Sequence, residues 1–115
     1  MSFYSPRKLK FKAWNEESGL LMRLDSIECY KGELVKKGHI LLQFTGMYDK
    51  LDEEVYDMDV LLLHYEKFIM YWDEKSKTWR LMSLDPNKKE ELQLEKVREM
   101  NRLCSYFESN RKTTS

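Results

Sequence analysis

With 115 residues, 42% of them hydrophobic and 13% aromatic, the chain carries one ordinary hydrophobic core and is too short for two. Lys plus Arg balances Asp plus Glu at 20 each, so no overall positive field gathers nucleic-acid phosphates or anionic lipid. The opening stretch lacks the apolar core of a secretory signal and the longest aliphatic run, Val60 to Leu63, is far below a membrane span, so a cytoplasmic protein without membrane association is expected.

Along the chain, Leu9, Phe11 and Ala13 alternate with Lys8, Lys10 and Lys12, the period-two pattern of a strand with one buried and one wet face. The lysines read as the decoration of a solvated edge, although Arg7, Lys8, Lys10 and Lys12 beside Phe11 and Trp14 also leave a nucleic-acid platform open. Asn15, Ser18 and Gly19 then mark a hairpin turn, and Leu20 to Leu24 begins the return strand. Trp72, Asp73, Glu74 and Ser76 repeat the spacing of Trp14, Asn15, Glu16 and Ser18, which suggests two hairpins solving one turn problem. Both tryptophans are expected in the core. His39 to Thr45 reads as a strand stopped by Gly46, and Val60 to Tyr65, Phe68 to Trp72 and Thr78 to Leu84 as a three-stranded meander.

The pattern changes at Asp85. Asp85 suits a helix N-cap and Pro86 the first helical position, and neither Gly nor Pro follows. Leu92, Val97, Met100, Leu103, Cys104 and Phe107 fall on one stripe opposite Glu91, Glu95, Arg98 and Arg102, which predicts an amphipathic helix of about five or six turns with a frayed end from Asn110. That stripe needs a cover, either the chain's own sheet or a second copy in a homo-oligomer. Cys29 and Cys104 are expected to be reduced and mostly buried, and with His39 and His64 they lack the close ligand spacing of a structural zinc site.

Asp49, Asp52, Glu53, Glu54, Asp57 and Asp59 crowd into eleven positions. A calcium loop starting at Asp49 would place Leu51 at its third position and Glu54 at the sixth, where a ligand and a Gly are required. Paired carboxylates for hydrolysis need one acid desolvated, which sequence does not show. A solvated turn between strands explains the run, so no catalytic, metal or cofactor-binding residue is assigned.

Three blocks carry a resemblance. Lys10, Phe11, Lys12, Ala13 and Trp14; Gln43, Phe44, Thr45, Gly46, Met47, Asp49 and Lys50; and Tyr56, Asp57, Met58, Asp59, Val60 and Leu61 keep the order and spacing of the YopX family of small phage and prophage proteins. The likeness runs from about Lys8 to Leu84. Met58 stands where that family has Gly, and the segment after Asp85 replaces its usual end. The resemblance implies a mostly β fold encoded by mobile elements, with no established activity or catalytic residue to carry over.

The expectation is therefore a mainly β (α+β) protein: a small antiparallel, partly barrel-like sheet over residues 1–85 and one C-terminal amphipathic helix with its tail over 86–115. The function read from it is a non-catalytic interaction module, an accessory protein of a phage or mobile element with a protein partner. A nucleic-acid-binding accessory protein and a carboxylate-dependent hydrolase are the alternatives.

Overall fold

One local device closes two hairpins. In the computed structural model, which describes residues 3–109, β1 (Phe11–Asn15) returns as β2 (Leu20–Arg23). Asn15 Oδ1 accepts the amides of Glu17 at 3.0 Å and Ser18 at 3.2 Å, and the Gly19 amide donates to the Asn15 carbonyl at 2.8 Å with Gly19 at φ 70°. At the second turn, Asp73 Oδ1 accepts the Lys75 amide at 3.0 Å, and the Lys77 amide donates to the Asp73 carbonyl at 2.8 Å with Lys77 at φ 56°. A short polar side chain bonds the backbone ahead of it and a left-handed residue completes the reversal. The sequence likeness of the two stretches is thus a shared turn.

The strands form three antiparallel sheets. β5 (Ile40–Tyr48) and β6 (Glu54–Tyr56) join the first hairpin in the order β2-β1-β5-β6. The expected meander is present as β7 (Asp59–Leu63), β8 (Glu66–Asp73) and β9 (Thr78–Ser83). It gains β10 (Glu91–Leu92) and β11 (Asn101–Ser105) at its two edges, in the order β10-β9-β8-β7-β11. β3 (Glu28–Tyr30) and β4 (Glu33–Val35) pair only with each other. The fold is mainly β, with one sheet curled into a half-barrel and only a short helix, α1 (Tyr106–Ser109), at its end.

Gly46 does not stop its strand. It sits inside β5 at φ 84°, where the register to β6 shifts between Phe44 and Met47. The Thr45 hydroxyl donates to the Val55 carbonyl at 2.7 Å and accepts the Met47 amide at 3.0 Å, so it replaces the ladder bonds that the bulge removes. Met58 adopts φ 68° without the freedom of a Gly. Its amide donates to Met70 and its carbonyl accepts from Tyr106, at 2.6 and 2.7 Å, and these bonds hold the strained entry to β7.

The helix expected after Asp85 is not formed. Asp85 does initiate structure, but as a turn: its Oδ1 accepts the Asn87 amide at 2.9 Å and its carbonyl the Lys88 amide at 3.1 Å, and Lys89 at φ 44° ends the turn. Residues 91–105 then become β10, a 3-10 turn (Leu94–Glu99) and β11. The edge of β7 offers a full row of backbone partners, and this tertiary gain outweighs helix propensity. Part of the apolar stripe is covered by the chain itself, since Val97 and Met100 are buried in the core with Val55, Leu61, Phe68, Met70 and Leu81, while Leu103 is left exposed. The frayed end from Asn110 lies outside the described residues.

β1 is an interior strand rather than a solvated edge, and both of its faces are covered: Ala13 is buried as expected, and so is the opposite face, expected to be wet. Trp14 is buried and stacks on Phe107 at 5.9 Å, Lys12 has the same parity and goes in with it, and Leu9 is left exposed. The large aromatic decides the face, and the lysine follows by burying its aliphatic stem. Trp72 corrects the other expectation. It is 39% exposed, packs edge-on against Trp79 at 5.3 Å and donates its Nε1–H to Glu74 at 2.9 Å. Trp14→Ala should therefore cost about 3 to 5 kcal/mol in urea denaturation and Trp72→Ala about 1 kcal/mol, a difference that equal losses would refute.

Candidate functional site

The acidic segment is held by backbone amides and two arginines. Asp49 and Asp59 are each 1% exposed, against the expectation of a solvated run, whereas Asp52 and Glu53 are exposed as expected. Asp49 Oδ1 accepts the amides of Leu51 at 2.8 Å and Glu53 at 2.9 Å, and its Oδ2 accepts the Arg102 amide at 2.7 Å. Asp59 Oδ2 accepts the Tyr56 amide at 2.7 Å and Arg102 Nε at 2.8 Å, while its Oδ1 accepts Arg102 Nη2 at 3.3 Å. Arg98 adds bonds to the Asp49 carbonyl at 3.0 Å and to Asp52 Oδ1 at 2.9 Å. Burial pushes the Asp59 carboxyl up against the pull of the Arg102 guanidinium. Asp57 is likewise pushed up by burial, partly offset by the Trp72 amide, which its Oδ1 accepts at 3.1 Å. Carboxylates occupied in this way are structural staples. Among the described residues no group of three His, Cys, Asp or Glu side chains gathers around one point.

The basic residues of the N-terminal stretch do not form one row. Arg7 and Lys8 are exposed ahead of β1 and border a cleft of about 240 Å³ beside Phe44 and Tyr48. Lys10 pairs with Glu54 at 2.5 Å, and Lys12 places its Nζ 4.4 Å from the centroid of the Tyr56 ring. Lys12 stands directly opposite Arg23 in the β1–β2 register, so the two cations share a face with Tyr56 and Phe44. Burial pushes the Lys12 ammonium down, and Arg102 and Arg23 add to that effect.

Beside this face opens a cleft of about 330 Å³ lined by Lys10, Arg23, Glu54 and Tyr56, with Leu24 and Ile27 on its apolar wall. Tyr56 donates its hydroxyl proton to Glu54 Oε1 at 3.2 Å, and burial together with that carboxylate pushes the phenol up to about 12. Glu54 is itself held down by its bond from Lys10. Charge, aromatic surface and apolar wall meet here, which is the equipment of a binding cleft.

The β3–β4 hairpin is the other exposed feature. Lys31 at φ 50° and Gly32 at φ 82° form a two-residue turn of the kind that matches strand twist, and all six strand residues are exposed. Tyr30 is 66% exposed, with Leu34 and Val35 at about 40%. Cys29 is exposed on the same hairpin, against the expectation of a buried thiol, and Cys104 is half-buried on β11. No helix among the described residues is long and apolar enough to cross a membrane.

Sequence reasoning missed Arg102, which it placed on the polar face of a helix. Only an acid search for a distant partner could have found it, because it lies 43 residues from Asp59 and 53 from the nearest Asp49 contact. Arg102→Met should destabilise by about 3 to 5 kcal/mol, since it leaves Asp59 buried and unpaired. Asp59→Asn with Arg102→Met should cost clearly less than the two single changes added, and an additive double-mutant cycle in urea would break the assignment of a coupled pair. For Asp57 the sign is opposite to that of an ordinary paired acid. Its folded form is the better proton binder, so its contribution to stability grows as pH falls through the folded value towards the unfolded one and shrinks as pH rises. Wild type should gain stability relative to Asp57→Asn between pH of about 7 and about 4, and a loss in chemical denaturation would reverse the reading.

A search of curated proteins gives no match. The sequence profile described as YopX protein matches residues 6–103, which takes in β1 to β10, the first part of β11, the acidic segment and Arg102. The chain belongs to the YopX family.

Proposed function

We propose that the protein is a non-catalytic interaction module, an accessory protein of a phage or mobile element that works in the bacterial cytoplasm by binding a protein partner. The observation that carries this is the β3–β4 hairpin. A two-stranded hairpin is at best marginally stable in water by itself, yet this one exposes Tyr30, Leu34 and Val35 and pairs with no other strand. Leu20 and Met22 on the edge strand β2 are exposed as well. Exposed strand edges with alternating side chains are docking surfaces for extended segments of other proteins. Family membership supports the setting.

Engagement of Asp49 and Asp59 by amides and Arg102 weighs against a carboxylate-dependent hydrolase, which needs one acid available to the substrate. A nucleic-acid partner draws its support from Arg7 and Lys8 beside Phe44 and Tyr48, whereas Lys10 is paired with Glu54, which interrupts the basic row.

The test is a double variant, Tyr30→Ser with Val35→Ser, on one face of the hairpin. Its stability should stay within about 0.5 kcal/mol of wild type, as for other exposed positions. Recovery of the partner by affinity purification from the native host should fall about tenfold or more. Undiminished recovery would reject the hairpin as the docking element, and light scattering identifies the case in which the partner is a second copy.

A further inference from the structure

The first sheet sets two cations side by side, with no ion-pair partner for either. Lys12 and Arg23 are directly opposed across β1 and β2, and like charges so placed repel. Neither makes a hydrogen bond or ion pair from its charged group to another described residue. The nearby carboxylates give their hydrogen bonds to other groups, Glu54 to Lys10, Asp59 to Arg102 and Glu108 to the Ser105 amide at 3.0 Å, and act on the pair only through space, Asp59 and Glu108 on Lys12 and Glu54 on Arg23. Asp25 lines the cleft together with Arg23. The geometry is local, since the chain as a whole is neutral.

We propose that Lys12 and Arg23 bind the phosphate of a small phosphorylated molecule of mononucleotide size, whose organic part lies in the cleft beside Tyr56, Leu24 and Ile27. A forked guanidinium and a point-charge ammonium together match a phosphate dianion, which neutralises both. A carboxylate carries one charge and leaves the repulsion half unanswered. The cleft, at about 330 Å³, is at the small end of ligand sites and admits one nucleotide-sized molecule rather than a long chain. Desolvation of Lys12 against Tyr56 strengthens its attraction for an anion, and the aromatic ring supplies a stacking surface.

Thermal denaturation and calorimetric titration of the full chain test the site with adenosine monophosphate, adenosine, inorganic phosphate and sodium acetate at matched ionic strength. Adenosine monophosphate should raise the melting temperature saturably, inorganic phosphate less, and adenosine and acetate not at all. Arg23→Gln should weaken binding about tenfold or more while leaving the unliganded protein as stable as wild type or more so, because the repulsion is relieved. Lys12→Gln should show the same loss of binding. Arg23 is exposed, so its variant keeps the test valid if the Lys12 variant unfolds. No saturable response to either phosphate, an equal response to acetate or adenosine, or wild-type affinity in Arg23→Gln would overturn the proposal.

Discussion

Arg102 is the residue through which the two large sheets are tied. Its amide bonds to Asp49, at the end of the first sheet's longest strand, and its guanidinium bonds to Asp59, at the start of the second sheet. Two carboxylates that are almost wholly buried would be costly to hold without such donors, and the donors come from one strand that must be in place. The Lys50 amide adds a bond to the Met100 carbonyl at 2.8 Å, and Met100 itself fills the core. The acidic loop and the C-terminal strand therefore fold as one unit.

This dependence explains why the hairpins were legible in the sequence and the C-terminal segment was not. The turns at Asn15 and Asp73 are decided by bonds reaching no further than four residues, so their residue types announce them. Asp85 and Pro86 announce local structure with equal force, but a turn and a helix share that signal, and the choice is made by the open edge of β7 about 25 residues earlier. The stripe at 3.6-residue spacing was real as burial, since Val97 and Met100 are in the core, and misleading as conformation. A run with two deeply buried members does not fix a period.

The candidate site was legible to a lesser degree. Lys10 and Lys12 were visible as basic residues beside aromatics, but which face each took depended on Trp14, whose burial under Phe107 is a contact between the first strand and the last helix. The opposition of Lys12 and Arg23 needed the hairpin register, which the turn at Asn15 fixes to the residue. Composition gave no hint of it.

Net neutrality conceals the distribution of charge. Asp49 and Asp59 of the central segment are drawn into the fold, where Arg102 and backbone amides answer them, and Asp52 and Glu54 pair with Arg98 and Lys10 nearer the surface. On the first sheet, Lys12 and Arg23 stand opposed with no ion-pair partner of their own. An overall balance of 20 cations and 20 anions rules out a field that attracts any polyanion from a distance, because screened contributions of opposite sign cancel beyond a Debye length. It places no such limit on a cleft a few ångströms across, where only the nearest groups count and their dielectric surroundings are partly protein. A chain without the charge to collect nucleic acid can still hold one phosphate firmly, and its selectivity then comes from the shape of the cleft rather than from its field.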